Sequence, residues 1–195
     1  KIHRGVDQIG GCITEIRTKK ARILIDVGTN LPNTENKVKV NVTKISKKCD
    51  AVFITHYHLD HVGEYMKVKK KIPIYIGEQA KDIFMIYQKK MKEPRLSNIT
   101  EKHIDRLHAF KTFEPDIPIN IGDIKITPIR VDHSAFDSYM FLIEDGIKRV
   151  LHTGDFRTHG PIGKDLPIIL KSIGKVDGLI CEHTTLSRTD ETFMT

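Results

Sequence analysis

Cysteine is scarce in this sequence, and no hydrophobic run is long. The 195 residues contain three cysteines, which are widely spaced and include no C-x-x-C pair: Cys12, Cys49 and Cys181. An odd, scattered set argues against a disulfide framework and against a cysteine zinc site. No apolar run is long enough to span a bilayer, and no stretch has the pattern of a signal peptide. These absences favour a protein of the reducing cytoplasm with no membrane partner.

Repeats and low-complexity tracts are also absent, and the composition is that of a globular protein. Hydrophobic residues make up 39% and charged residues 29%, and 195 residues are enough for one domain with a sizeable core. The formal net charge of +7 favours a polyanionic partner such as nucleic acid, although lysines can simply solvate a surface. The sequence leaves a homodimer open.

Short β-rich runs alternate with helical patterns along the chain. Two runs that flank Lys19-Lys20 predict a hairpin. The predicted strands are 12–18, 21–27, 51–55, 72–76, 109–113, 124–131, 139–144, 149–153 and 178–181, and the predicted helices are 77–93 and 166–173. The apolar face of the first helix is predicted to contain Ala80, Ile83, Phe84, Tyr87 and Met91. Runs of strands with helices between them predict sheets covered by helices, an α/β or α+β fold.

The strand predicted at 51–55 leads directly into the sequence HYHLDH, residues 56–61. Imidazoles and carboxylates are costly to crowd together unless each has a partner, so this cluster predicts a metal site. Strand alternation would point His56 and His58 in the same direction. Asp60, as a helix N-cap, and His61 would follow in a turn. These ligand types suit zinc, with manganese as an alternative.

Four ligands in one loop cannot close two metal sites, so further ligands are expected from elsewhere in the chain. His133 follows the strand predicted at 124–131. Asp155 follows the strand predicted at 149–153, after Gly154, which permits a tight turn. Both residues are therefore candidates for the same centre.

Four motifs, ILIDVG, THYHLDH, DHS and TGD, resemble in this order the metallo-β-lactamase superfamily, and the resemblance covers nearly the whole chain. It implies an αββα sandwich with a dinuclear zinc site at its edge. The implied ligands are His56, His58 and His133 for the first metal, and Asp60, His61 and the bridging Asp155 for the second. Asp26, in ILIDVG, would order the ligand loop by hydrogen bonds.

Within that superfamily, three stretches resemble the RNase J type of β-CASP ribonuclease. HSAFDS (133–138) is similar to its H-S-x-x-D-S stretch, HTGDFR (152–157) to its bridging-aspartate loop, and CEHTTL (181–186) to its Glu-x-Thr junction. The resemblance implies hydrolysis of phosphodiester bonds in single-stranded RNA, with a hydroxide held by the metals as the nucleophile. Ser134, Ser138 and Arg157, which lie close in sequence to predicted ligands, are expected to face the substrate phosphate.

Members of that group continue into a β-CASP domain and then bring a further histidine to the second metal, and this sequence contains neither. We expect residues 1–195 to be the N-terminal part of a metallo-β-lactamase domain, with the β-CASP domain starting near 182–195. Because the chain begins at Lys1 rather than Met, we expect a piece of a longer nuclease. Alone, it is expected to cleave RNA poorly or not at all.

Two other functions fit the same ligands. A small-molecule metallo-hydrolase of the thioesterase or lactonase type would need the metals but no serines for phosphate. A non-catalytic interaction domain would keep the fold and some metal. The remaining histidines lack a motif: His3, His103, His108 and His159 are predicted to lie on the surface, His152 is predicted to be structural, and His183 is left undecided.

Overall fold

Two sheets are built from two consecutive parts of the chain. The computed structural model describes residues 1–6, 8–32, 34, 37–91 and 99–182. His183 and most of the predicted junction therefore lie outside the described residues. Among the helices of the described ranges, none combines the length and the apolar character needed to cross a bilayer.

The first sheet is formed by residues 2–113, and its described strands lie in the order in which they occur in the chain. They are β1 (Ile2–Arg4), β2 (Ile13–Arg17), β3 (Arg22–Ile25), β4 (Ala51–Phe53), β5 (Ile74–Gly77) and β6 (Lys111–Phe113). The pairs β1–β2 and β2–β3 are antiparallel, and the pairs from β3 to β6 are parallel. The hairpin predicted around Lys19-Lys20 is confirmed as β2 and β3.

The second sheet is formed by residues 119–180. Its described strands are β7 (Ile119–Ile121), β8 (Ile124–Val131), β9 (Ser138–Glu144), β10 (Arg149–His152) and β11 (Gly178–Ile180). They lie in the order β11-β10-β9-β8-β7, and all pairs are antiparallel except β10–β11. The sequence predicted neither β1 nor β7.

The helices of the described residues cover the outer face of each sheet. They are α1 (Val42–Ser46), α2 (Leu59–Val62), α3 (Glu78–Met91), α4 (Glu101–His108) and α5 (Leu166–Ile173). Two short 3₁₀ turns lie at Tyr65–Lys67 and Gly163–Asp165. The bounds of α5 agree with the prediction, and Pro167 lies in its first turn, where proline is tolerated.

Alternate residues of the central strands point to opposite sides of each sheet. In β3, Leu24 packs with residues of α1 to α4, whereas Ile23 and Ile25 pack against the second sheet. In β9, Phe141 faces the first sheet, and Met140 packs with residues of α5. The chain therefore forms four layers, helix–sheet–sheet–helix, and the predicted αββα sandwich is confirmed.

The buried face of α3 differs in part from the predicted one. Ala80 and Phe84 are fully buried as predicted, but Tyr87 is 42% exposed and Gln88 is only 3% exposed. Ala80, Phe84 and Gln88 are spaced four residues apart and form one row along the helix. That row faces the core, so a polar residue is buried and Tyr87 is turned towards solvent.

The segment that follows β4 also differs from the prediction. Since β4 ends at Phe53, His56 and His58 lie in a loop beyond the strand rather than on it. The N-cap of α2 is His58, with extended backbone angles, and not Asp60. Asp60 is the second residue of the helix, because α2 starts earlier than the sequence suggested.

Candidate metal centre

The predicted ligands meet at one edge of the sandwich, beyond the carboxyl ends of strands from both sheets. They lie in loops after β4, β8 and β10 and at the start of α2: His56, His58, Asp60, His61, His133 and Asp155. Beside them, the backbone N–H of Tyr139 in β9 donates to the carbonyl of Thr55 over 3.0 Å. This bond joins the two sheets and holds their ligand loops together.

Three imidazoles form the first group. The ring centroid of His56 lies 4.7 Å from that of His58 and 4.7 Å from that of His133, and the latter two are 5.1 Å apart. One ring nitrogen from each histidine lies within 4.8 Å of the others. This is the arrangement of three nitrogen ligands around a single ion.

A second group shares His56 with the first. One ligand atom from each of His56, His61 and Asp155 again lies within 4.8 Å of the others. Asp155 Oδ2 is 3.4 Å from His61 Nε2 and 3.9 Å from His133 Nε2, so this carboxylate lies between the two groups. Asp60 Oδ2 lies 3.7 Å from His61 Nε2 and adds an oxygen ligand on the same side.

The environment of His56 fits a bound divalent metal. Its Nδ1 contacts the Thr55 hydroxyl at 3.0 Å, but its Nε2 is buried without a hydrogen-bond partner. Leaving such an atom unsatisfied costs about 1–3 kcal/mol. A metal ion would satisfy it, and imidazole nitrogen with carboxylate oxygen is a ligand set that zinc prefers.

Burial keeps the three histidines of the first group neutral. Burial lowers the pKa of His56 well below its ordinary value, and the neighbouring imidazoles lower it further. Burial also lowers the pKa values of His58 and His133, although nearby carboxylates oppose the shift. A neutral imidazole has a free lone pair, so these histidines are in the protonation state that a metal ligand requires.

Asp26 is fully buried beneath the second group and orients His61. Its carboxylate accepts hydrogen bonds from the backbone N–H of Thr55 at 2.8 Å and from the Thr55 hydroxyl. Its Oδ2 lies 2.7 Å from His61 Nδ1, so His61 Nε2 is turned towards Asp60 and Asp155. A carboxylate bound to the second ring nitrogen is a common support for metal-binding histidine.

The backbone near α2 is packed tightly around Asp60. A side-chain carbon on Gly28 would lie 1.6 Å from the Asp60 carbonyl oxygen, and the Cys12 N–H donates to that oxygen over 2.9 Å. Arg4, which is 3% exposed, donates to the carbonyls of Gly11 and Gly28 and lies 3.3 Å from the Glu64 carboxylate. The guanidinium thus fixes two loops against the ligand helix.

Comparison with known families explains this geometry. A family model described as the metallo-beta-lactamase superfamily matches residues 12–189. This chain belongs to the metallo-beta-lactamase superfamily. It is 28% identical to Ribonuclease J of Helicobacter pylori over 170 residues, which cover 81% of this chain and 23% of that protein. It is 32% identical to an RNase J-like protein of Methanocaldococcus jannaschii over 193 residues, 94% of this chain and 42% of that protein.

Solved structures share this fold. A protein of unknown function from Enterococcus faecalis V583 has a TM-score of 0.76 and 19% identity, over 99% of this chain and 51% of that one. The subclass B3 metallo-beta-lactamase BJP-1 of Bradyrhizobium japonicum has a TM-score of 0.55 and 19% identity, over 88% of this chain and 70% of that one. The chain spans less than half the length of the two curated relatives named above.

The three residues predicted to bind phosphate differ in accessibility. Ser134 is exposed, and its hydroxyl lies 3.4 Å from His133 Nε2. Ser138 is fully buried and donates to the carbonyl of Ala135 at 2.7 Å, so its hydroxyl is not available to a phosphate. Arg157 is paired with the buried Asp132, which holds its Nε at 2.5 Å. The Ser138 hydroxyl therefore supports the loop before β9, and Arg157 uses its Nε to hold Asp132.

Three further histidines have structural contacts outside the ligand groups. His152 is buried, and burial lowers its pKa to about 4, which agrees with the predicted structural role. His3 was predicted to lie on the surface, but it is partly buried, and its Nε2 lies 2.7 Å from the Glu15 carboxylate. His103 contacts Thr100 in a capping box at the start of α4. None of these three histidines belongs to the metal ligand groups of the described residues.

Sequence reasoning missed residues that support the ligands from a distance. Arg4 acts through backbone carbonyls, Thr55 contacts both His56 Nδ1 and Asp26, and Asp132 pairs with Arg157. A buried arginine has no local pattern that separates it from a surface one. For Thr55, its position directly before His56 was the available signal.

Asp26→Asn should weaken metal binding by about 10–100-fold, the usual cost of losing a supporting partner of a metal-bound histidine. The amide nitrogen of asparagine would face the Thr55 donors or His61 Nδ1, so one of these contacts would be lost. Competition with a chromophoric chelator measures the affinity. Asp82→Asn, on the exposed side of α3, is the matched control. Equal affinity of both variants and the wild type would contradict the role of Asp26.

Proposed function

We propose that this chain forms the metal-binding part of a hydrolase that cleaves phosphodiester bonds in RNA. The observation that carries the proposal is the pair of ligand groups that share His56, with Asp155 between them. Two metals placed next to each other are suited to the displacement of an oxygen at phosphorus. The names of the curated relatives, Ribonuclease J and RNase J-like protein, support RNA as the substrate. The net charge of +7 agrees with a polyanion.

We assign the ligands to two metals. His56, His58 and His133 would hold the first, Asp60 and His61 the second, and Asp155 would bridge both. Two zinc ions suit this set, and manganese is the alternative. Divalent metals at these positions supply Lewis-acid chemistry, since they lower the pKa of water and neutralise charge on a phosphoryl oxygen.

The chain's own residues would orient the reaction. Asp60 and Asp155 present their carboxylates to the open side of the site, where each is partly exposed. Asp26 keeps His61 in one orientation, and Ser134 offers a hydroxyl beside His133 to a neighbouring phosphate oxygen. Among the described residues we assign no general acid.

The proposal extends to the domain and its surroundings. Residues 1–195 would be the N-terminal part of the metallo-β-lactamase domain, and a β-CASP domain would start near 182–195. Single-stranded RNA would then lie between the metal edge and that second domain. The free state of Cys12, Cys49 and Cys181 supports a reducing compartment such as the cytoplasm.

The chain, loaded with zinc or manganese, should cleave single-stranded RNA slowly, and a polypeptide continued past Thr195 should cleave it faster by orders of magnitude. Positioning of the reacting groups lowers the activation barrier by about 7–11 kcal/mol in favourable cases. A β-CASP domain opposite the metal edge would supply this positioning. Affinity for RNA should fall steeply with salt, because basic residues release counterions from the phosphates.

The measurement is the release of labelled products from RNA, with a thioester and a lactone as parallel substrates and a chelator as the control. Hydrolysis of the thioester or the lactone without RNA cleavage would overturn the proposal in favour of a small-molecule hydrolase. Metal binding without any hydrolysis, by either polypeptide, would favour an interaction domain instead.

A further inference from the structure

The loop between β8 and β9 displays one large apolar side chain beside the metal centre. Asp132, Ala135 and Asp137 are buried, with exposures of 6%, 1% and 5%. Phe136, between two of these buried residues, is 54% exposed. Exposing a phenylalanine forgoes the burial of a large apolar surface, so its orientation requires an explanation.

The exposure of Phe136 does not arise from a loosely held loop. Asp137 has a φ of 64°, a left-handed conformation that is uncommon for residues other than glycine. Its carboxylate accepts hydrogen bonds from the Ala80 N–H at 2.9 Å and from the Tyr139 hydroxyl at 2.6 Å. The buried side chain of Asp137 thus fixes the backbone directly after Phe136, and the ring is held outward.

Phe136 is also tied to a metal ligand loop. Its backbone N–H donates to the Tyr57 hydroxyl over 3.2 Å. Tyr57 directly precedes His58, and the centroids of these two rings are 5.7 Å apart. His133 is three residues before Phe136, which limits their separation to about 11 Å of chain. The ring therefore lies next to the site and keeps a fixed position relative to it.

The guanidinium of Arg130 packs against the ring of Phe136. The guanidinium carbon of Arg130 lies 4.9 Å from the centroid of Phe136. Across the ranges that the structure describes, this guanidinium makes no ion pair, so its charge is available to a phosphate. A protein-docking patch needs contiguous apolar surface, whereas the neighbours of Phe136 in this part of the chain are polar: Ser134 is exposed and Arg130 is partly exposed.

We propose that Phe136, backed by Arg130, is a platform on which a nucleobase of single-stranded RNA stacks, next to the nucleotide whose phosphate lies at the metals. This inference rests on the proposed function and adds to it a subsite for the base. Stacking on an aromatic ring accepts every base, because each has a π face, and arginine adds a cation–π contribution. The platform would thus position the strand without selecting its sequence.

The first experiment measures stacking directly. A short single-stranded oligoribonucleotide with phosphorothioate linkages, which slow hydrolysis, carries the fluorescent base 2-aminopurine and is titrated with the zinc-loaded chain. Binding should quench the fluorescence. Phe136→Ala should weaken binding on the order of ten- to a hundredfold and remove the quenching, as expected for loss of one stacked base. Phe136→Trp should restore both.

Ile86→Ala provides the matched control, since Ile86 is a large apolar residue of α3 with 68% exposure. It should bind RNA like the wild type. Equal affinity of Phe136→Ala and the wild type would overturn the platform. Loss of self-association in Phe136→Ala, measured by light scattering, with unchanged RNA binding would also overturn it, because the ring would then belong to a protein interface.

The second experiment removes the base instead of the ring. An oligoribonucleotide with abasic residues should bind the wild type and Phe136→Ala equally weakly, because the partner of the ring is missing. An equal loss on abasic and intact RNA would overturn stacking. Hydrolysis of unmodified RNA is measured separately, with the wild-type polypeptide continued past Thr195. Phe136-dependent quenching without such hydrolysis would overturn the proposed function and leave the platform in place.

Discussion

His56→Leu should weaken binding of the first metal by more than about 100-fold, because loss of a supporting partner alone already costs about 10–100-fold in affinity. In the proposed assignment His56 is one of the three imidazole ligands of the first metal, and the substitution removes its free ring nitrogen, Nε2. Hydrolysis of any substrate that needs the metals should fall with the metal content. Elemental analysis of the purified chain, together with activity at matched metal concentrations, provides the measurement.

The same substitution should not destabilise the metal-free chain. His56 Nε2 is buried without a partner, at a cost of about 1–3 kcal/mol, and leucine fills a similar volume without a polar atom. In chelator, urea unfolding should give a free energy equal to or greater than that of the wild type. His108→Leu, on the exposed end of α4, is the control for metal content. A His56→Leu chain that retained the first metal would refute His56 as its ligand.

Gly28→Ala should have the largest effect on the fold, with a loss of about 3 kcal/mol or more in the free energy of unfolding. The new carbon would lie 1.6 Å from the Asp60 carbonyl oxygen and 2.2 Å from its carbon. Both are backbone atoms and cannot rotate away as a flexible side chain could. The start of α2 would have to move, and Asp60 and His61 would move with it.

Gly178→Ala is the matched control for this prediction. At Gly178 the nearest atom to an added carbon is a methyl of Val150 at 3.5 Å, an ordinary contact. Its free energy of unfolding should change by less than about 0.5 kcal/mol. Urea unfolding of both variants in chelator separates the clash from the loss of metal. An unchanged midpoint for Gly28→Ala would contradict the close approach described at Asp60.

The sequence predicted most strands of the sandwich but missed two of the five described strands that have only three residues. Residues 124–131 contain five β-branched residues and were predicted with the correct bounds as β8. Ile119–Ile121 and Ile2–Arg4 have three residues each, and neither belongs to a longer apolar run that would indicate a strand. Their pairing with β8 and β2 is what makes them strands, and a partner is not visible in the local sequence.

The cluster of ligand-type residues was predictable because it combines costly side chains at strand ends, and the resemblance pointed to Asp26, but the other supporting residues were not predictable. Ser138 shows why. It opens β9, in which six successive residues are buried, because helices or the other sheet cover both faces. Alternation therefore could not tell which way its hydroxyl points. The same limit applies to Asp132, whose burial depends on residues about 25 positions later.

The assembly of the site from two sheets has a consequence for how the protein folds. Each sheet uses a continuous part of the chain, 2–113 or 119–180, and His58 and His133, from the two parts, are 75 residues apart. A metal bound to both histidines would close a long loop reversibly. A disulfide that closes a loop of this length raises the free energy of unfolding by about 4 kcal/mol, and the metal would have a comparable effect. It could bind tightly only after the sheets had docked. The lifetime of the docked sheets would then depend on the concentration of free metal. Unfolding would be slower as that concentration rises.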